Sequence, residues 1–147
     1  MRPLLIRAAI LAIVSIALVA CSSSSGSAIP TVNDAWARPA ANGGQSAAYF
    51  TITNPAATAD ALVSATSPGA TTVSVHETSV DGSGMSDMHP VARVDVPAGQ
   101  SVVFKPGSYH LMLMGLTGEL AAGSTIELHL VFEHAGTVVV KAAIRQV

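Results

Sequence analysis

Beyond residue 28 the chain is written in short apolar–polar alternations. Runs rich in Val, Thr and Ile are separated by Gly, Pro, Asn and Asp at roughly 8–12-residue intervals, the spacing of consecutive short strands. The pattern predicts strands over Thr31–Arg38, Ala47–Asn54, Ala61–Ala65, Thr72–Glu77, Val91–Val96, Ser101–Phe104, Tyr109–Met114, Thr125–Glu133 and Thr137–Ile144. No stretch keeps a helical period through three turns. In the run from Thr125, Ile126, Leu128, Leu130 and Phe132 share one face, while Glu127, His129 and Glu133 share the other, as a half-buried antiparallel strand requires. His134-Ala135-Gly136 then makes a short Gly-containing turn into the last strand. So many short strands without helices predict an all-β sandwich. Ser79–Pro90, polar and glycine-rich, is expected to be a loop.

The first 20 residues break this pattern. Arg2 and Arg7 mark a basic start, and the uncharged run Ala8–Ala20 follows. That run is too short to span a bilayer, which takes about 20 residues, and has the length of a secretory signal's apolar core. It ends Leu18-Val19-Ala20-Cys21, which resembles the lipobox of bacterial lipoproteins. The resemblance implies that residues 1–20 are a signal peptide and that Cys21 is lipidated. Residues 21–30, largely serine, glycine and alanine, then form a flexible tether. One domain over residues 31–147 follows, held at the outer face of the cell membrane or in the periplasm.

Loss of Arg2 and Arg7 leaves five basic side chains against nine acidic ones. With no basic stripe, nucleic acid is not an expected partner. Cys21 is the only cysteine, so the mature domain has no disulfide, thiol nucleophile or thiolate ligand. In an oxidising compartment a metal carrier built without thiols avoids their pairing and oxidation.

Candidate chemistry concentrates between residues 76 and 114, in His76, Met85, Met88, His89, His110, Met112 and Met114. His76 follows Thr72 and Ser74 on the polar face of its strand, opposite Val73 and Val75. His110, Met112 and Met114 alternate along another strand, about 6.6 Å apart in steps of two, with Leu111 and Leu113 facing the core. Methionine commonly fills core gaps, but both faces of one strand cannot enter the same core, so something must cover the His–Met face. Met85 and Met88 have no packing reason to lie on a polar loop. Imidazole and thioether without carboxylate form a soft donor set that favours copper(I); zinc prefers His, Cys and carboxylate, and calcium prefers oxygen. His129 and His134 read as solvated, Trp36 as core, and Glu77 points away from its neighbour His76.

These residues resemble the periplasmic copper(I) chaperones of the PCu(A)C type. That family's motif is a His, about ten residues, a Met, twenty-one residues, then His-x-Met; here 21 residues separate Met88 from His110-Leu111-Met112. Asp34-Ala35-Trp36-Ala37-Arg38, Ala48-Tyr49-Phe50-Thr51-Ile52-Thr53-Asn54, Val75-His76-Glu77, Val96-Pro97-Ala98-Gly99 and Tyr109–Leu116 follow in family order. The resemblance implies a cupredoxin-like (immunoglobulin-like) Greek-key β-sandwich. It further implies one Cu(I) held by His76, Met88, His110 and Met112. The ion would pass to a copper acceptor protein, usually of the cytochrome c oxidase assembly pathway. Eleven residues separate His76 from Met88, one more than usual, and Thr78 stands where the family often has a further Met. Met85 or His89 therefore remains an alternative to Met88.

Other functions fit less well. A blue-copper electron carrier needs a Cys thiolate, and a thiol–disulfide reductase needs reactive thiols. No G-x-S-x-G nucleophile motif occurs, and no enzymatic activity is expected. A copper buffer or resistance protein, and a sandwich domain that recruits a protein partner without metal, are the remaining alternatives.

Overall fold

The computed structural model describes residues 28–146; the expected signal peptide, Cys21 and most of the expected tether lie outside them. The described residues form ten strands and no helix: β1 (Thr31–Ala37), β2 (Gln45–Thr53), β3 (Asp60–Thr66), β4 (Ala70–Val80), β5 (Ser86–Pro90), β6 (Val94–Val96), β7 (Ser101–Phe104), β8 (Tyr109–Leu116), β9 (Thr125–Phe132) and β10 (Gly136–Ile144). Hydrogen bonding runs β5-β4-β8-β2-β1-β10-β9-β3-β6, with β7 also on β2. Neighbours distant in sequence, β4 beside β8 and β3 beside β9, are the long returns of a Greek key.

The path folds into two layers because β1 belongs to both. Its start lies antiparallel to β2, and after a register break its end, Trp36 and Ala37, also runs parallel to β10. Asp34 sits in the break at φ 53°, a left-handed conformation that Asp tolerates better than most residues. Between the layers Phe50, Leu111 and Leu113 meet Leu62, Leu128 and Leu130, all at most 2% exposed. Phe50 stacks on Phe104 with ring centroids 4.5 Å apart. β9 alternates as its sequence demands, with Ile126, Leu128, Leu130 and Phe132 buried. The β9–β10 turn is braced from β3, where the Asp60 carboxylate accepts the main-chain N–H groups of His134 at 3.0 Å and Ala135 at 2.9 Å.

Two expectations change. The segment read as a loop is a hairpin arm, in which β4 continues to Val80 and β5 returns along it. Asp81 makes the turn tight: its Oδ1 accepts the main-chain N–H of Ser83 and of Met85, each at 2.9 Å, and the Ser83 hydroxyl at 2.6 Å. Trp36, expected in the core, lies on the outer face of its sheet. There it pairs with Tyr49 across β1 and β2, while Ala48 and Phe50 take the inner side.

Candidate metal centre

β4 and β8 are neighbours, and their register sets His76 directly opposite His110. The next pairs along the same ladder are Ser74 with Met112 and Thr72 with Met114. Residues opposite each other share a face, as do alternate residues of one strand. His76, His110 and Met112 therefore occupy one face, and it is the outer one, because Leu111 and Leu113 are wholly buried on the other.

On the far side of β4, β5 pairs Met88 with Thr78 and His89 with Glu77. Thr78 is two residues from His76, so Met88 joins the His76 face. His89 falls on the opposite face, where its Nε2 lies 3.6 Å from Glu77 Oε2. This also disposes of Glu77 as an orienting partner for His76. Met85 sits in the arm's turn and is 69% exposed, whereas Met88 in the strand is 52% exposed. Met114 lies one rung beyond Met112, away from the histidine pair. Of the seven candidates, the register thus brings His76, Met88, His110 and Met112 onto neighbouring positions of one face.

The cover that this face needs is aromatic. His110 is only 4% exposed although it points outward. Its ring centroid is 6.3 Å from that of Tyr49, and the Trp36 ring lies against Tyr49, tilted by 34° with centroids 4.5 Å apart. The guanidinium groups of Arg145 and Arg38 lie over Trp36 and Tyr49, at 4.9 and 5.8 Å. The row Trp36–Tyr49–His110 was invisible as a motif; only the pairing of β1, β2 and β8 assembles it. The two histidine rings are tilted by 43°, with centroids 5.9 Å apart.

The rings are prepared differently. His110 Nδ1 lies 3.0 Å from the Ser108 carbonyl oxygen. His76 Nε2 lies 3.0 Å from Ser74 Oγ, while its Nδ1 is buried without a hydrogen-bond partner. Burial holds the His76 pKa below the usual histidine range, and the charges of His110 and His89 push it the same way. His76 is therefore neutral at neutral pH, the state in which imidazole binds a metal. Among the described residues no group of three or more His, Cys, Asp or Glu side chains is gathered to hold an ion. The donor set on this face is instead two nitrogens and two thioether sulfurs, and the unpaired His76 nitrogen fits a soft cation. His129 and His134 belong to the other layer; His129 Nε2 is paired with Glu127 at 2.6 Å and His134 exposes 70% of its side chain.

A cupredoxin-like sandwich of this shape is the fold of the PCuAC domains. The copper-bound PCuAC domain from PmoF2 matches it with a TM-score of 0.66 over 80% of this chain and 93% of that one, at 23% identity. The apo PCuAC domain from PmoF1 has a TM-score of 0.66 at 28% identity, over 80% and 94%. The solution structure of CuI-DR1885 from Deinococcus radiodurans has a TM-score of 0.60 at 29% identity, over 86% and 85%. Within this class the chain belongs to the family described as "Putative lipoprotein LpqE-like", whose model matches residues 30–144. A curated relative, "Putative lipoprotein Lxx21020" of Leifsonia xyli subsp. xyli (strain CTCB07), is 33% identical over 106 residues, 72% of this chain. The chain spans 63% of that relative's length.

Proposed function

We propose that the protein is an extracytoplasmic copper(I)-binding metallochaperone whose ligands are His76, Met88, His110 and Met112. The observation that carries this reading is the register: His76 faces His110 across β4 and β8, with Met112 and Met88 on the same outer face. Two neutral imidazoles and two thioethers suit Cu(I), which needs no deprotonated thiol here and does not favour oxygen donors. The kinship with PCuAC domains supports copper as the cargo; among those neighbours, DR1885 is described in its CuI form.

Handing over an ion requires that a ligand can leave. Met88, half-exposed on an arm at the sheet's edge, is the donor that an incoming protein reaches first. Its neutral sulfur is displaced as the acceptor's ligands enter. The role is binding and delivery rather than catalysis, and the acceptor belongs to the cytochrome c oxidase copper-assembly pathway. The lipoprotein description of the family supports export and anchoring through Cys21, at the outer face of the cell membrane or in the periplasm.

Anaerobic Cu(I) titration of wild type, His110→Ala and Met112→Ala tests the site. One equivalent in the wild type and weakened binding in both variants is the expected result. Binding of less than one equivalent by the wild type, or no loss in either variant, would sink the copper reading.

A further inference from the structure

We propose that Ser74 is a positioning residue of the copper site: its hydroxyl holds His76 in the Nε2–H tautomer, so that His76 offers Nδ1 to the ion while His110 offers Nε2. This rests on the copper reading and adds to it which nitrogen of each ring binds, and why.

A neutral imidazole carries one N–H and one lone pair, and the partner of one nitrogen decides the role of the other. For His110 the assignment is forced. Its Nδ1 lies 3.0 Å from the Ser108 carbonyl oxygen, which can only accept. Nδ1 thus carries the proton, and the lone pair is on Nε2. For His76 the partner of Nε2 is the Ser74 hydroxyl at 3.0 Å, which can donate or accept. The buried, unpartnered Nδ1 breaks the tie. With the proton on Nδ1, a buried N–H would be orphaned, an arrangement that native proteins avoid more consistently than an under-used acceptor. With the proton on Nε2, Ser74 accepts it, and the group left unpaired is a lone pair that a soft cation satisfies.

Ser74 is well placed for this because it lies two residues from His76 on the same face. It is also directly across the ladder from Met112. One hydroxyl therefore orients a nitrogen donor beside a sulfur donor. The two histidines then bind through unlike nitrogens because their second partners are unlike, a hydroxyl in one case and a main-chain carbonyl in the other.

The test is long-range ¹H–¹⁵N correlation NMR on the detergent-solubilised full-length protein, ¹⁵N-labelled at histidine. Spectra are recorded without metal and with Ag(I), a soft d¹⁰ cation whose ¹⁰⁹Ag couplings identify the bound nitrogen. Without metal, His76 should be Nε2–H and His110 Nδ1–H; with silver, couplings should appear at His76 Nδ1 and His110 Nε2. Ser74→Ala should mix the His76 tautomers and weaken Cu(I) binding about tenfold, and Ser74→Thr, which keeps the hydroxyl, should restore both. A wild-type His76 that is Nδ1–H, or that couples through Nε2, overturns the proposal and leaves the copper reading standing. So does a Ser74→Ala variant with unchanged tautomer and affinity. Absence of silver coupling at both histidines overturns the copper reading itself.

Discussion

Met85, Met88 and His89 lie within five residues of one another, yet the arm gives each a different fate. Met88 faces Thr78 and so the His76 side of the sheet; His89 faces Glu77 on the reverse; Met85 rides the turn. Spacing alone left the three as alternatives, because a single added residue in a loop shifts every donor by an unknown amount. Strand pairing removes that freedom, since a side chain's face follows from its parity. Met88→Ala should therefore weaken Cu(I) binding by about tenfold, roughly 1.4 kcal/mol, and speed transfer out of the site. Met85→Ala and His89→Ala should stay close to wild type. Competition against a Cu(I) chelator of known affinity measures all three, and an equal loss in His89→Ala would contradict the register.

At the scale of the element, the β4–β5 arm is held by its turn rather than by a core. Val80 is 66% exposed, and neither Met85 nor Met88 is buried. What closes the hairpin is Asp81, whose carboxylate takes the N–H groups of Ser83 and Met85, a side chain imitating a turn's own hydrogen bonds. These hydrogen bonds to the ionised form hold its pKa below the usual carboxylate range, with Ser83 contributing most. Asp81→Ala should accelerate amide exchange at Ser83, Met85 and through β5, while β2, β8 and β9 keep their protection. Exchange followed residue by residue by NMR checks this; uniform loss of protection would mean that the arm is integral to the core.

The same arm shows where the sequence was legible and where it was not. β9 announces itself because Ile126, Leu128, Leu130 and Phe132 recur at every second position, with Glu127 and His129 between the first three, and all four are buried. β5 cannot do so: Ser86-Asp87-Met88-His89-Pro90 has no β-branched residue and packs against no core. The His110-x-Met112 pair was readable from period-two geometry. Its placement opposite His76 was not, because cross-strand register depends on turns and bulges distant in sequence. Trp36 departs from its sequence expectation for a related reason. A large aromatic residue is expected inside, but the bulge at Asp34 and the pairing with Tyr49 put it on the outer face, against the Tyr49 ring.

For the molecule as a whole, the core lies between the layers and the proposed donors lie outside it. Acid stability should accordingly be governed elsewhere, by Asp60, which is 6% exposed in the layer opposite the site. Burial alone would raise its pKa, but the main-chain N–H groups of His134, Ala61 and Ala135 outweigh it and hold the carboxyl below its ordinary value. A carboxylate depressed in the folded state stabilises above its unfolded pKa, about 3.9, and that contribution disappears as pH falls through the folded value. Asp60→Ala strands buried N–H groups and should cost about 3 kcal/mol at pH 7. The gap from wild type should narrow below about pH 4, as denaturant melts across pH would register.

Separation of core and site makes a sharper demand on the donors. Met112 is half-buried on the outer face, so truncating it opens no cavity between the layers. Apo Met112→Ala should stay within about 1 kcal/mol of wild type, the range of substitutions away from the core. Copper should then distinguish the two proteins. An ion bound only by the folded state adds about 2.7 kcal/mol at a free concentration one hundred times its dissociation constant. Denaturant melts under anaerobic, Cu(I)-buffered conditions should show that gain in the wild type, at a buffered level at which Met112→Ala shows little of it. The lone tryptophan, Trp36, reports unfolding, since its ring lies against Tyr49, the neighbour of His110. A variant unstable even without copper would place Met112 in the scaffold; one that gains as much as wild type would remove it from the site. Stable when empty and indifferent to copper is the combination expected of a ligand, because the core and the proposed donors occupy opposite faces of one sheet.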